Sequence, residues 1–181
     1  MKRRTWLAAL AFAGLVAGLA PRAAVAAGFP SAYRPMVVEP ANRGDRVEFD
    51  LEPALQRARR EGKRLYVYLG AGDCRFCRRY EAFLERNAGA LVPQFDAQKY
   101  LVVDLRSALM VTGAQLQLKA GGRSLGYADF QRSIGDERAR LLVYPNVWLF
   151  DADLKPLMQM PSGAGTFETV PEQLEILRLE Q

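Results

Sequence analysis

The stretch Gly70-Ala71-Gly72-Asp73-Cys74-Arg75-Phe76-Cys77-Arg78-Arg79-Tyr80 holds the only two cysteines of the chain. Thiols three positions apart at the start of a helix can join in a small ring with little backbone movement. A short Gly-containing turn precedes Cys74 and an amphipathic stretch follows it. The first thiol therefore falls at a helix N-terminus, where unpaired N–H groups and the macrodipole favour negative charge. Such a site lowers a thiol's pKa and raises the fraction of thiolate, the form that attacks disulfides. The chemistry indicated is thiol–disulfide exchange. Arg75, Arg78 and Arg79 favour the Cys74 thiolate further, and Asp73 opposes them. A lower nucleophile pKa stabilises the reduced form and makes the pair more oxidising.

Blander readings stand beside this one. A structural disulfide across so short a loop removes little unfolded-state entropy and makes a poor staple. A closed zinc site needs about four ligands; the chain has no histidine and no third cysteine, so no metal is expected. The same lack of histidine excludes a catalytic Cys-His pair. Gly121-Gly122-Arg123-Ser124 lacks the lysine and the spacing of a phosphate loop and reads as a turn. Arg79 serves equally well as the wet face of a helix.

The elements that must position the thiols are legible around them. Leu65 to Leu69 is apolar throughout, as suits a central strand covered on both faces. A helix is predicted from about Arg75 to Asn87, with Phe76, Tyr80, Phe83 and Leu84 on one face. Arg78, Arg79, Glu81 and Glu85 take the other face. Gly89 and Pro93 are expected to end it. Before the strand, Asp50 reads as the N-cap of a helix through Leu51, Ala54, Leu55 and Ala58, which Gly62 closes. After the helix, Tyr100 to Leu105 is a second buried strand, and the order predicts a parallel pair with a right-handed crossover. Residues 106 to 126 allow a short hairpin through Leu116, Leu118 and Gly121-Gly122, or a loop with one helical turn. A helix is expected from Tyr127 to about Arg138. Pro145 cannot donate within a ladder, so a strand should start at Asn146. Asp151-Ala152-Asp153 turns it back into Lys155 to Met160, Gly163 and Gly165 mark a bend, and Thr169 with Glu172 forms the capping box of a last helix.

Residues 1 to 27 stand apart. Lys2, Arg3 and Arg4 precede an uncharged, mostly apolar run of 15 residues, Trp6 to Ala20, and Ala24-Val25-Ala26 gives a small-x-small cleavage pattern. This is the layout of a secretory signal peptide. The run is short of the ~20 residues a spanning helix needs. The adjacent arginines also resemble a twin-arginine export signal. The net charge of +5 falls to +1 once these residues are set aside, so the basic pI gives no reason to expect a nucleic-acid partner. Export would place the thiols in an oxidising compartment, where a disulfide persists. Gly28 to Glu48, with Pro30, Pro35, Pro40 and Gly44, reads as an extended lead-in with at most a short strand at Met36-Val37-Val38.

The order strand, turn, Cys74-Arg75-Phe76-Cys77 and helix, followed by Val143-Tyr144-Pro145-Asn146 before a later strand, resembles the thioredoxin superfamily in its exported bacterial branch. The resemblance covers roughly Phe49 to Glu180. It implies an α/β, thioredoxin-like fold: a central mixed sheet flanked by helices, with an insertion around residues 106 to 126. The implied division is a signal peptide over 1–27, an extended segment over 28–48 and the domain over 49–181. By the resemblance, Cys74 is an exposed nucleophile and Cys77 its more buried resolving partner. Pro145 follows a cis bond from Tyr144, and the two shape the groove where a substrate strand docks. Asp73 stands where many members have tryptophan. The family's buried acid maps to Tyr68, which cannot act as the same proton acceptor. The implied function is periplasmic thiol–disulfide exchange with protein substrates, either the reduction of a dedicated substrate with electrons from a membrane shuttle or the introduction or shuffling of disulfides. No organic cofactor is needed, and a monomer is expected. The rival is a non-catalytic module that uses the same fold to hold a periplasmic partner.

Overall fold

The computed structural model describes residues 28–135, 141–159 and 169–179. The expected signal segment, the bend at Gly163 and Gly165 and the continuation of a helix towards Arg138 lie outside these residues. In chain order the elements are β1 (Met36–Val38), β2 (Ala41–Arg43), β3 (Arg46–Asp50), α1 (Glu52–Glu61), β4 (Arg64–Ala71), α2 (Arg75–Arg86), α3 (Ala88–Ala97), β5 (Tyr100–Ser107), β6 (Leu116–Ala120), β7 (Arg123–Gly126), α4 (Tyr127–Ser133), β8 (Asn146–Phe150), β9 (Pro156–Gln159) and α5 (Val170–Arg178).

Five strands form one mixed sheet in the order β1-β5-β4-β8-β9. Both β1 and β4 run parallel to β5, while β8 is antiparallel to β4 and β9 antiparallel to β8. The apolar runs of β4 and β5 follow from their place at the centre, with side chains buried on both faces. Leu65, Val67 and Leu69 face a cluster with Leu101, Val103, Trp148 and Phe150, against Leu55 and Ala58 of α1 and Phe130 of α4. Tyr66, Tyr68, Val102 and Leu149 face the opposite cluster, with Phe83 and Leu84 of α2, Leu91 and Phe95 of α3 and Leu177 of α5. The chain is thus an α/β protein whose mixed sheet is flanked by helices, compatible with a thioredoxin-like fold.

The expected helix starts and stops hold in their main features. Gly62 takes a left-handed conformation (φ 61°) past the end of α1, but the N-cap of α1 is Leu51 and not Asp50, which stands one residue earlier and accepts the Glu52 N–H on its carboxylate at 3.0 Å. The β8 strand begins at Asn146, directly after Pro145. The hydroxyl of Thr169 accepts from the Glu172 N–H at the start of α5.

Three features differ from expectation. First, Gly89 and Pro93 do not end the helical run. The chain breaks at Asn87, whose side chain donates to the Phe83 carbonyl at 2.8 Å, and then restarts as α3 with Pro93 inside it. Pro93 is exposed, so the Gly89 carbonyl that it leaves without a donor faces water, while Leu91 and Phe95 anchor the other side. Second, residues 28–48 are no mere lead-in to a domain starting at Phe49. The expected strand β1 joins the main sheet, and the boundary falls inside β3. Phe29 is buried among Tyr33, Tyr66 and Tyr68, with ring centroids 5.2, 5.7 and 5.3 Å away. Third, the insertion is half of a second sheet. A hairpin turns through Gly121 and Gly122 (φ 59° and 72°), the left-handed pair that a two-residue turn requires. Its first strand, β6, runs parallel to β3, giving the order β2-β3-β6-β7. Phe49, Leu116 and Leu118 from this sheet complete the cluster around α1.

Candidate active site

The β4 strand delivers the chain to the end of the main sheet, and a tight turn carries it into α2. Cys74 N–H donates to the Ala71 carbonyl at 3.2 Å, and Gly72 N–H donates to the Ser107 carbonyl at 3.0 Å. A guanidinium nitrogen of Arg78 donates to the Gly72 carbonyl at 2.9 Å and ties the turn to the helix. Cys74 is the N-cap residue of α2, with extended backbone, and its sulfur accepts the Cys77 N–H at 3.0 Å. The two cysteines form a disulfide with Cα atoms 5.3 Å apart. No acidic residue lies in the first turn of α2, so nothing in that turn opposes the attraction of the helix's positive end for a thiolate.

Of the charges expected to tune the pair, Arg75 is exposed and its guanidinium sits 4.6 Å from the centre of the Phe76 ring. The Asp73 carboxylate is engaged: it accepts the Met110 N–H at 2.8 Å. The peptide between Tyr144 and Pro145 is cis, and Tyr144 shares the apolar cluster of the two cysteines. The Tyr144 side chain is buried, and its hydroxyl oxygen accepts the Val111 N–H at 3.3 Å. Burial, with the nearby Asp73 charge, pushes the Tyr144 phenol up to about 12, so it stays protonated at neutral pH.

The expectation of an exposed Cys74 is not met. Cys74 is 1 % exposed and Cys77 0 %. The segment between β5 and β6 is fastened to the residues just before Cys74 and just before Pro145, and its Val111 packs against the apolar cluster that holds both sulfurs. Nothing in its composition announced this, because the bonds that hold it are made by its backbone.

Glu81 is the second correction. It was placed on the wet face of α2, yet it is 6 % exposed, one turn beyond Cys77. The Tyr68 hydroxyl donates to its carboxylate at 2.8 Å. Tyr68 has room to do so because Gly70, two residues on, lacks a Cβ; one built there would stand 2.6 Å from the Tyr68 ring. Tyr68 is no acid, but it anchors one that arrives from the helix. Nearby, the buried Asp104 accepts the Phe29 N–H at 3.1 Å and an Arg106 guanidinium N–H at 2.6 Å. Burial, with the Asp104 charge adding to it, holds the Glu81 carboxyl above its ordinary value, although the Tyr68 bond pulls the other way. A tyrosine followed by glycine in a central strand, with a glutamate four residues after the second cysteine, was the available signal.

The raised carboxyl has a consequence for stability. Below the ordinary value of 4.5 both folded and unfolded states hold the proton, and the folded state keeps its full stability from this group. As pH rises through the folded-state pKa, that contribution is lost. The pH dependence of the urea midpoint of the oxidised protein should therefore carry a downward contribution from Glu81 as pH rises above 4.5. Glu81→Gln, which keeps an acceptor for Tyr68 but cannot ionise, should remove that part of the slope. An unchanged slope in the variant would refute the assignment.

Among the described residues, no group of three or more Cys, Asp or Glu side chains is arranged to hold a metal ion, and no helix is long and apolar enough to cross a membrane. Fold and site together define an α/β protein with a redox-type Cys-x-x-Cys disulfide at the N-terminus of a helix beside its central sheet. No protein-family model matches the chain, and no curated protein is significantly similar to it.

Proposed function

We propose that the protein exchanges dithiol for disulfide with protein partners in the periplasm, in a direction set by the potential of the pair. The observation that carries this reading is the position of the pair: Cys74 caps α2, with the Cys77 N–H aimed at its sulfur at 3.0 Å. A helix end of this kind stabilises the Cys74 thiolate once the pair is reduced. When a partner is reduced, the thiolate attacks one sulfur of the partner's disulfide, an S–S bond forms between them, and the partner's other sulfur leaves as a thiolate. Cys77, having lost its proton, then attacks the Cys74 sulfur and releases the partner's second thiolate. Two electrons pass to the partner, whose thiolates take up two protons, and the Cys74–Cys77 bond is restored. Tyr144 and Pro145 line the approach, and Arg75 and Asp73 set the charge around it.

The test is capture. Cys77→Ser removes the resolving thiol, so the reduced variant should accumulate a mixed disulfide through Cys74, seen as a reducible adduct by non-reducing electrophoresis and intact mass. The burial of both sulfurs favours a second reading, a module that binds its partner without exchange. Partner binding by the Cys77→Ser protein with no covalent adduct would establish that reading instead.

A further inference from the structure

The segment 108–115, which joins β5 to β6, is held beside the disulfide at successive points, and its Val111 packs against the cluster that contains both cysteines. Its Met110 N–H is bonded to Asp73, the neighbour of Cys74, at 2.8 Å, and its Val111 N–H to the Tyr144 hydroxyl, beside Pro145, at 3.3 Å. Gly113 is wedged beyond them: a Cβ there would lie 3.3 Å from the Tyr127 ring and 3.7 Å from the Leu142 Cβ. A turn closes the far end, with Gln115 N–H donating to the Thr112 carbonyl at 3.0 Å. Beside these fastenings Cys74 is 1 % exposed, which no thiol that must meet another sulfur in line can remain.

The outer face of the same segment is apolar where loops are ordinarily polar. Leu109 is 64 % exposed and Met110 49 %, and Leu141 and Val143 are exposed on the neighbouring segment that leads to Tyr144. Among the described residues only one other large apolar side chain, Val37, is exposed, so the exposed apolar side chains are concentrated on two segments, one bonded to Asp73 and the other leading to Tyr144. The first turn of α2, which the two cysteines flank and close, presents the exposed Arg75 and Arg78 with no acid among them. Exposed apolar side chains concentrated in this way mark contact surfaces, and the arginines call for negative charge beside the apolar contact.

We propose that residues 108–113 are a strap that closes the Cys74–Cys77 pair to small thiols, and that a partner protein opens it by docking an apolar segment flanked by acidic residues. Asp73 and Tyr144 are the positioning residues that hold the strap shut. This rests on the exchange reading above and gives it a substrate class. In the closed state dithiothreitol cannot place its thiolate in line with the S–S bond. In the open state its thiolate attacks one cysteine sulfur and the other leaves as a thiolate; the reagent's second thiol, deprotonated, then attacks its own sulfur in the mixed disulfide, closing its ring and releasing the first cysteine as a thiolate, so two electrons pass to the pair.

Reduction of the oxidised full-length protein by excess dithiothreitol, quenched with acid and read by mass after alkylation, measures the opening. Asp73→Asn and Asp73→Ala both remove the charge that repels the attacking thiolate, but asparagine keeps an oxygen for the Met110 N–H. Asp73→Ala should react about tenfold faster than Asp73→Asn, the factor held by one hydrogen bond of ordinary strength. Tyr144→Phe, which keeps the buried ring and loses the acceptor for Val111, should react about tenfold faster than the unaltered protein. Amide hydrogen exchange at Met110 and Val111 should rise in the matching variants, which a change in thiol chemistry alone would not produce. Equal rates for the two Asp73 variants, or no change for Tyr144→Phe, would overturn the strap. For the partner class, reduced protein should act on a disulfide peptide with leucines flanked by aspartates at least about tenfold faster than on one flanked by lysines; equal rates would overturn that part. If the strap fails while Cys77→Ser still captures partners, the exchange reading survives alone. If dithiothreitol shows the gating and nothing is captured, the exchange reading falls.

Discussion

Cys74→Ala is expected to abolish exchange with protein disulfides, lowering the rate on the order of 10³-fold or more, because it removes the nucleophile itself. The loss should come without unfolding. The ring closed by Cys74 and Cys77 spans so few residues that opening it restores little freedom to the unfolded chain. Cys74→Ala and the double variant with Cys77→Ala should be equally inactive, since the two thiols act as one unit and their effects do not add. Stopped-flow rates with a disulfide peptide, beside unchanged far-ultraviolet circular dichroism, would check both statements. Appreciable residual exchange in Cys74→Ala would place the attacking sulfur at Cys77 and reverse the roles assigned here.

The second large effect is on stability. Trp148 of β8 is among the largest fully buried side chains. Its ring lies 6.0 Å from Phe130 in an edge-on contact, and its indole N–H donates to the buried Gln131 side chain at 3.0 Å. Trp148→Ala leaves a cavity in the cluster shared by both sheets, a change that typically costs ~3–5 kcal/mol. It also leaves the Gln131 oxygen without its donor, worth a further ~1–3 kcal/mol. Against a usual total of ~5–15 kcal/mol, the variant should be largely unfolded at 37 °C or show a greatly reduced denaturant midpoint. Trp148→Phe, which restores most of the volume, should recover the greater part. A midpoint within error of the unaltered protein would show that this cluster does not hold the sheets together.

How far the sequence could be read depended on whether a feature is local. Cys74 and Cys77 at a helix start, the strand beginning after Pro145, Gly62 past α1 and the Thr169 cap are each decided within a few residues, and each was legible. The second sheet was not, because β3 and β6 pair across about seventy positions of chain, and neither carries a turn signal for the other. Glu81 was misplaced because helical periodicity assigns charges to the wet face; it does not register a phenol, Tyr68, waiting across the interface. Asp73 was read as a charge beside a thiol. The structure gives its carboxylate a backbone N–H to hold, from a residue 37 positions away, directly beside the buried Cys74. Pro93 was read as a helix breaker on its local cost alone, which the anchoring of Leu91 and Phe95 outweighs.

The outermost strands of the main sheet carry a further consequence. One border, β1, is three residues long, and the other, β9, is four and begins with Pro156, which has no N–H to offer. A foreign chain seeking to extend the sheet would find few consecutive backbone groups to grip on either side. Extended polypeptides near it therefore have little opportunity to stack onto its margins and start a fibre.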